Sequence, residues 1–293
     1  MRGRGFTLIE MVVVIAVLGV LFTILIGITR AVVTQQRYQV TRARMANVDT
    51  AIGVYVSQYK RLPCPAVGTL ASSASGAGTE SVTGSGTSRD CGTQVNGVVP
   101  WRDLGLTATD IEDGWGGRFT FRVGPDLVKD GALDFSSCDP AGGAVAVIAT
   151  PPFCNAGCTA STLASACTPP LIALTGTTAK GLVVESATGT VLMDPRTSPT
   201  TGAAYVLVSH GPEGGGAYSG AGILLSSTTA ASTVERKNFA NVAYSQPPAT
   251  GAPTVFLVDD TSNGTTTAHF DDLVSRPGVL ALAVKAQLGP RSH

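Results

Sequence analysis

Glu10 is the side chain with the most demanding chemical setting. It is the one charged residue between Arg4 and Arg30, at the mouth of an uncharged run from Met11 to Ile28. An acidic side chain costs from roughly +2.5 kcal/mol at a bilayer centre and less toward the surface, so a lone acid there marks a functional site by default. A second group of donors lies near the other end. Asp259, Asp260, Asp271 and Asp272 flank a polar loop with many backbone carbonyls. Such a set suits a hard, oxygen-ligated cation, though paired aspartates also serve as solvated turns or helix N-termini. The third group is six cysteines: Cys64, Cys91, Cys138, Cys154, Cys158 and Cys167. The last four are irregularly spaced for zinc and have no histidine near them, which favours disulfides. Nucleophilic catalysis finds little to use. Ser209 and His210 are adjacent, so a strand would point them to opposite faces, and His269 beside Asp271-Asp272 has no nucleophile elbow with it. The Gly211–Gly216 stretch lacks the lysine of a phosphate loop and reads as a surface turn.

The elements that position these groups begin with a helix. Phe6 to Ile28 is twenty-three residues, about 34 Å at ~1.5 Å per residue, enough for a ~30 Å hydrocarbon core. A secretory signal peptide would be shorter and end in a small-x-small cleavage site; this run passes into Thr29-Arg30-Ala31 without one. A plain membrane anchor explains the hydrophobicity and leaves Glu10 without a use. Beyond the span, Val40, Met45, Val48, Ile52, Tyr55, Val56 and Tyr59 recur at three- and four-residue steps and define a buried face. Arg42, Arg44, Asn47, Thr50 and Ser57 take the opposite face, and Leu62-Pro63 stops the helix near Lys60. The chain thus divides into 1–5, a transmembrane helix 6–28, its amphipathic continuation 29–61, and one globular domain 62–293.

That domain reads as short strands. Arg118–Val123 alternates with period two, which predicts buried aromatics and outward arginines. Ala144–Ala149, Gly181–Glu185, Ala203–Ser209 and Thr254–Val258 are further strand candidates, and Thr109 or Asp110 could cap a helical turn ending near Gly114. Phe270–Leu288 ends as helix, broken at Pro277-Gly278. Val67–Gly97, rich in Gly, Ser, Thr and Ala, predicts a long mobile excursion, and Cys154–Pro170 a second loop. The architecture is α+β, a long helix on a mostly antiparallel sheet.

Charge is unevenly placed. Residues 1–61 hold eight Lys/Arg against two Asp/Glu, the remainder twelve against eighteen. The basic residues lie along a helix without interleaved aromatics, so no nucleic-acid partner is expected. Arginines on both sides of the span leave the positive-inside count undecided. The cysteines decide the orientation: all six lie beyond the span, and an even count in an exported domain reads as disulfides. Fifteen pairings are open, and Cys64 with Cys91 is the favoured pair because each closes one end of a loop.

Gly5-Phe6-Thr7-Leu8-Ile9-Glu10, set between the basic leader and the apolar run, resembles the type IV prepilin family, including the pseudopilins of type II secretion. Leu62-Pro63-Cys64-Pro65, Gly97-Val98-Val99-Pro100-Trp101-Arg102, Asp113-Gly114-Trp115-Gly116-Gly117-Arg118 and Val206-Leu207-Val208-Ser209-His210-Gly211 are similar to stretches of type II pilin-like proteins. The resemblance implies a pilin-like fold, cleavage after Gly5 by a prepilin peptidase, N-methylation of Phe6, and pairing of Glu10 with the terminal amine of a neighbouring subunit. It implies other pilin or pseudopilin subunits as partners, and a single pass through the bacterial inner membrane with the carboxyl-terminal domain in the periplasm or a filament. It also implies calcium near Asp259, Asp260, Asp271 and Asp272. The length and the glycine-rich loops favour a minor subunit. The rival reading is a monomeric, membrane-anchored periplasmic binding module.

Overall fold

The computed structural model describes residues 8–92, 97–133, 181–195, 202–225, 234–241, 257–258 and 270–288, with 22–30, 87, 126 and 257–258 as backbone only. Gly5, Phe6, the leader, His269, Cys138, Cys154, Cys158, Cys167, Asp259, Asp260, the Ala144–Ala149 strand and the Cys154–Pro170 loop lie outside the described residues.

Helix α1 runs unbroken from Leu8 to Tyr59. Its first part carries apolar side chains on all sides, and those described from Leu8 to Leu21 are exposed. Among the described residues no helix is long and apolar enough to cross a membrane; side chains of the apolar run are described only as far as residue 21. From Thr41 onward one face becomes buried, with Met45, Val48, Ile52, Tyr55 and Val56 in the core. Val40 and Tyr59, expected on that face, are exposed. Lys60 turns the chain with a positive φ of 56° ahead of Pro63.

The helix lies on a five-stranded antiparallel sheet of order β1 (Ala66–Val67), β2 (Gly97–Val98), β4 (Thr120–Val123), β7 (Tyr205–Ser209), β10 (Leu273–Ser275). At its centre β4 and β7 pair with Phe121 opposite Leu207 and Val123 opposite Tyr205. These four side chains face α1 together with Val279 and Leu282 of α2 (Val279–Lys285). Each large aliphatic side chain buried this way stabilises by about 1.5–3 kcal/mol. Asp49 adds a polar tie: its carboxylate accepts from Tyr205 Oη at 2.9 Å and Ser275 Oγ at 2.8 Å. The break at Pro277-Gly278 separates β10 from α2, with Gly278 as the N-cap.

The opposite face is also covered. Val206 and Val208 pack with Leu182, Val184 and Ala203, beneath a small sheet of β6 (Val191–Met193), β5 (Val184–Glu185) and β9 (Leu257–Val258). There β5 and β9 run parallel, a departure from antiparallel pairing. A third pair joins β3 (Gly117–Arg118) to β8 (Tyr218–Ser219). This covering overturns the outward placement of Arg118 and Arg122, which are 0% and 1% exposed. Loops need donors for their buried carbonyls, and the arginines supply them. Arg122 donates to Ala240 O at 2.7 Å and Phe239 O at 3.2 Å, and burial lowers its pKa to about 10, still well above neutrality. Arg118 donates to Leu70 O at 2.8 Å, Gly220 O at 2.9 Å and Ser72 Oγ at 2.7 Å, beside the Trp101 ring.

The segment after Val67, expected to be a mobile excursion, is folded onto the domain as far as it is described. Ala77 is fully buried, Gly78 packs against the Trp101 ring where a Cβ would collide, and Thr83 and Asp90 pair as a bridge. Thr107–Asp110 forms a hydrogen-bonded turn, with Asp110 accepting from the Thr107 amide at 2.8 Å.

Candidate functional site

Glu10 lies in the first turn of α1 and its side chain is exposed. Its carboxylate is near the positive end of the helix dipole and surrounded in sequence by Leu8, Ile9, Met11 and Val12. That setting suits an interaction with a cation brought by another molecule.

A second constellation holds α1 against the domain. Asp113 follows the Thr107–Asp110 turn and accepts from the amides of Trp115 and Gly117, both at 2.9 Å, and from Ser209 Oγ at 2.9 Å. Burial raises its pKa, and those three donors, with His210, oppose the rise. The loop that Asp113 shapes then grips the helix. The Gly114 amide donates to Thr41 Oγ1 at 2.8 Å, and the Arg44 guanidinium donates to Glu112 O at 2.8 Å. Any side chain at Gly114 would meet the Arg37 backbone, with a Cβ only 2.6 Å from its carbonyl oxygen. Trp115 packs edge-on against Tyr38, ring centroids 4.9 Å apart.

A third constellation is carboxylate-rich. Glu235, Asp271 and Asp272 bring one oxygen each within 4.8 Å of the others. Glu235 and Asp272 are buried, and Asp271 is half-buried. Glu235 Oε1 accepts the Asp271 amide at 2.8 Å, and Asp272 Oδ2 accepts Asn238 Nδ2 at 2.8 Å. His210 Nδ1 faces Asp272 Oδ1 at 3.6 Å, while Nε2 and Thr120 Oγ1 are 2.7 Å apart. Of the aspartates singled out from sequence, Asp271 and Asp272 are brought together; Asp259 and Asp260 lie outside the described residues. The new member is Glu235, from a 3-10 turn, Glu235–Asn238. The local signal for it is that Glu235-Arg236-Lys237 are the only charges between Glu213 and Asp259. Ser209 donates to Asp113 and not to its neighbour His210, and both are buried. Thr120, His210 and Asp272 line up like a relay, but all three are buried beneath the loops.

Cys64 and Cys91 form a disulfide, with Cα atoms 5.3 Å apart. Within the loop they close, Glu80 takes both guanidinium nitrogens of Arg61, at 2.7 and 2.9 Å, and the Cys64 amide at 3.1 Å.

Residues 1–26 match the family model of the prokaryotic N-terminal methylation motif. The match contains Gly5, Phe6 and Glu10, and it supports the type IV prepilin-like and pseudopilin family. The amino terminus is of prepilin type. No curated protein and no solved structure matches the chain.

Proposed function

We propose that the chain is a pilin-like structural subunit that is cleaved after Gly5, methylated on Phe6, and assembled through its amino-terminal helix into a filament. The observation that carries the reading is one unbroken helix from Leu8 to Tyr59, beneath the matched motif, with an uncovered apolar first part and a second part laid on a sheet. Residues 6–28 form a single span of the bacterial inner membrane, continued by 29–61, and the domain 62–293 stands in the periplasm, where an oxidised Cys64–Cys91 pair is stable. Its partners are a prepilin peptidase that also methylates, and other pilin or pseudopilin subunits. The long loops suit a minor subunit of a pseudopilus or type IV pilus.

Glu10 sets register in this scheme. After cleavage the Phe6 ammonium lies in apolar surroundings, where an unpaired charge is costly, and the Glu10 carboxylate of a neighbour neutralises it. Cysteines placed along residues 6–28 will crosslink between subunits, and Glu10→Ala will abolish those crosslinks while cleavage continues. Unimpaired crosslinking in Glu10→Ala would defeat the pairing.

The carboxylate cluster extends the reading to a calcium ion. Three oxygens within 4.8 Å of one another fit a hard cation that takes ligands at about 2.3–2.6 Å, and supply three of its six to eight. Glu235, Asp271 and Asp272 would hold it, with Asp259 and Asp260 as further candidates, and the ion would join the 3-10 turn to the segment entering β10. Calorimetry of the protein with calcium, and melting with and without chelator, will show heat and a raised Tm; neither would remove calcium from the account.

A further inference from the structure

Calcium takes oxygen ligands, and the carboxylate cluster borders a nitrogen that calcium does not use. Sheet register places it there. Leu273 of β10 lies opposite Ser209 of β7, and Val274 opposite Val208. The next residues out along the pair, Asp272 and His210, are therefore neighbours on the face that carries Val208 and Val274. Thr120 of β4 opposes Val208 and meets His210 from the third strand. The approach is close: Gly211 has a φ of 58°, and a Cβ there would lie 2.8 Å from Asp271 O.

The His210 side chain is 1% exposed, and its Nδ1 makes no hydrogen bond among the described residues. Nδ1 faces Asp272 Oδ1 across 3.6 Å. That is longer than a hydrogen bond, which closes at about 2.7–3.2 Å. It is close to the edge of a tetrahedron around zinc, which is about 3.4 Å when the ligands stand at about 2.0–2.1 Å. The other ring nitrogen has the support that a ligating imidazole needs. Nε2 lies 2.7 Å from Thr120 Oγ1; when Nε2–H donates to that hydroxyl, the Nδ1 lone pair is available to a metal. Asp272 is steadied likewise, with Oδ2 accepting from Asn238 Nδ2 at 2.8 Å while Oδ1 faces the imidazole. Three carboxylates within 4.8 Å of one another repel unless a cation or protons lie among them.

We propose that His210 Nδ1 completes the Glu235–Asp271–Asp272 cluster, and that the completed site holds a divalent ion of the zinc type in preference to calcium. The proposal rests on the carboxylate cluster of the proposed function and names its preferred occupant. Four protein groups, one of them an imidazole, satisfy the tetrahedron of zinc, whereas calcium needs six to eight oxygens. Calcium enters through the oxygens, and zinc displaces it. The ion ties the end of β7 to the start of β10 and to the 3-10 turn Glu235–Asn238.

The test uses the full chain, oxidised, stripped of metal and held in detergent. Zinc will bind there and abolish the heat of a following calcium titration. X-ray absorption at the zinc edge will show one imidazole with oxygens at about 2.0–2.2 Å and no sulfur. His210→Gln will lower zinc affinity by more than the ~10–100-fold that loss of an outer partner costs, and will narrow the preference over calcium. Thr120→Val, which removes only the hydroxyl beside Nε2, will lower zinc affinity by about 10–100-fold. The absorption spectrum needs no variant, so it decides even where His210→Gln fails to fold. A sulfur shell near 2.3 Å, an oxygen-only shell, or undiminished zinc affinity in His210→Gln would overturn the proposal. So would loss of zinc in His269→Gln alone, the histidine two residues before Asp271. Calcium heat without zinc binding would overturn it and leave the calcium of the proposed function in place. Zinc binding without calcium heat would uphold it and remove calcium; silence with both ions would remove the site.

Discussion

Glu80 is held between two opposing effects. Burial alone would raise its pKa, but the hydrogen bonds from Arg61 and from the Cys64 amide, with the charges of Arg61 and Arg89, outweigh burial and lower it below the usual 4.5. A carboxyl whose folded pKa is depressed stabilises the fold above its unfolded pKa, and that stabilisation is lost as pH falls through the folded value. Urea denaturation should therefore show stability falling on acidification below about pH 4.5. Glu80→Gln should cost about 1–3 kcal/mol at neutral pH and flatten the acid dependence. An unchanged acid limb in the variant would mean that other carboxylates carry it; Asp130, where burial is the largest single effect but is outweighed by hydrogen bonds from Arg89 and the Gly86 amide and by the charges of Arg89 and Arg61, is the next to replace. At this scale the sequence was only partly readable. Alternation in Arg118–Val123 identified which side chains share a face, and Phe119, Phe121 and Val123 are buried as expected. It could not show what covers the other face, so the arginines were misplaced. Likewise Asp271 and Asp272 could be picked out by their adjacency, whereas Glu235 reaches them from 36 residues upstream through a turn that no local spacing encodes.

Among the elements, the disulfide loop differs most from its expectation. Its composition is that of a flexible segment, and flexible it would be without Cys64–Cys91, the Arg61–Glu80 ion pair and the Trp101 ring on which Gly78 rests. Composition reports how little a segment can bury by itself; it does not report the cross-links and the neighbouring surface that order it. The bond closes a separation of 27 residues, for which chain entropy gives about 3.5 kcal/mol. The double variant Cys64→Ser/Cys91→Ser should lose roughly that amount, read as a lower urea midpoint, and proteolysis should then cut within 65–90. Undiminished stability would show that the ion pair and Trp101 alone order the loop. Helix α1 was the most legible element, because its motif, period and terminating Leu62-Pro63 all lie within sixty consecutive residues. The limits of its buried face, which leaves Val40 and Tyr59 exposed, were not, since they are set by which parts of the domain pack against the helix.

The whole molecule is a polarised object. An apolar helical stalk with a lone acid at one end emerges from a domain whose five-stranded sheet has apolar packing on both faces, and four arginines lie between Arg30 and Arg44, where stalk and domain meet. On the proposed reading, the prepilin-type amino terminus supplies the processing step that releases the stalk for assembly. The most direct measurement is mass spectrometry of the mature amino terminus, purified from membranes of cells that have the peptidase. The account predicts a chain beginning at N-methylated Phe6, with Glu10 five residues in; a chain retaining Met1–Gly5, or beginning beyond Ile28 as after a signal peptidase, would contradict it.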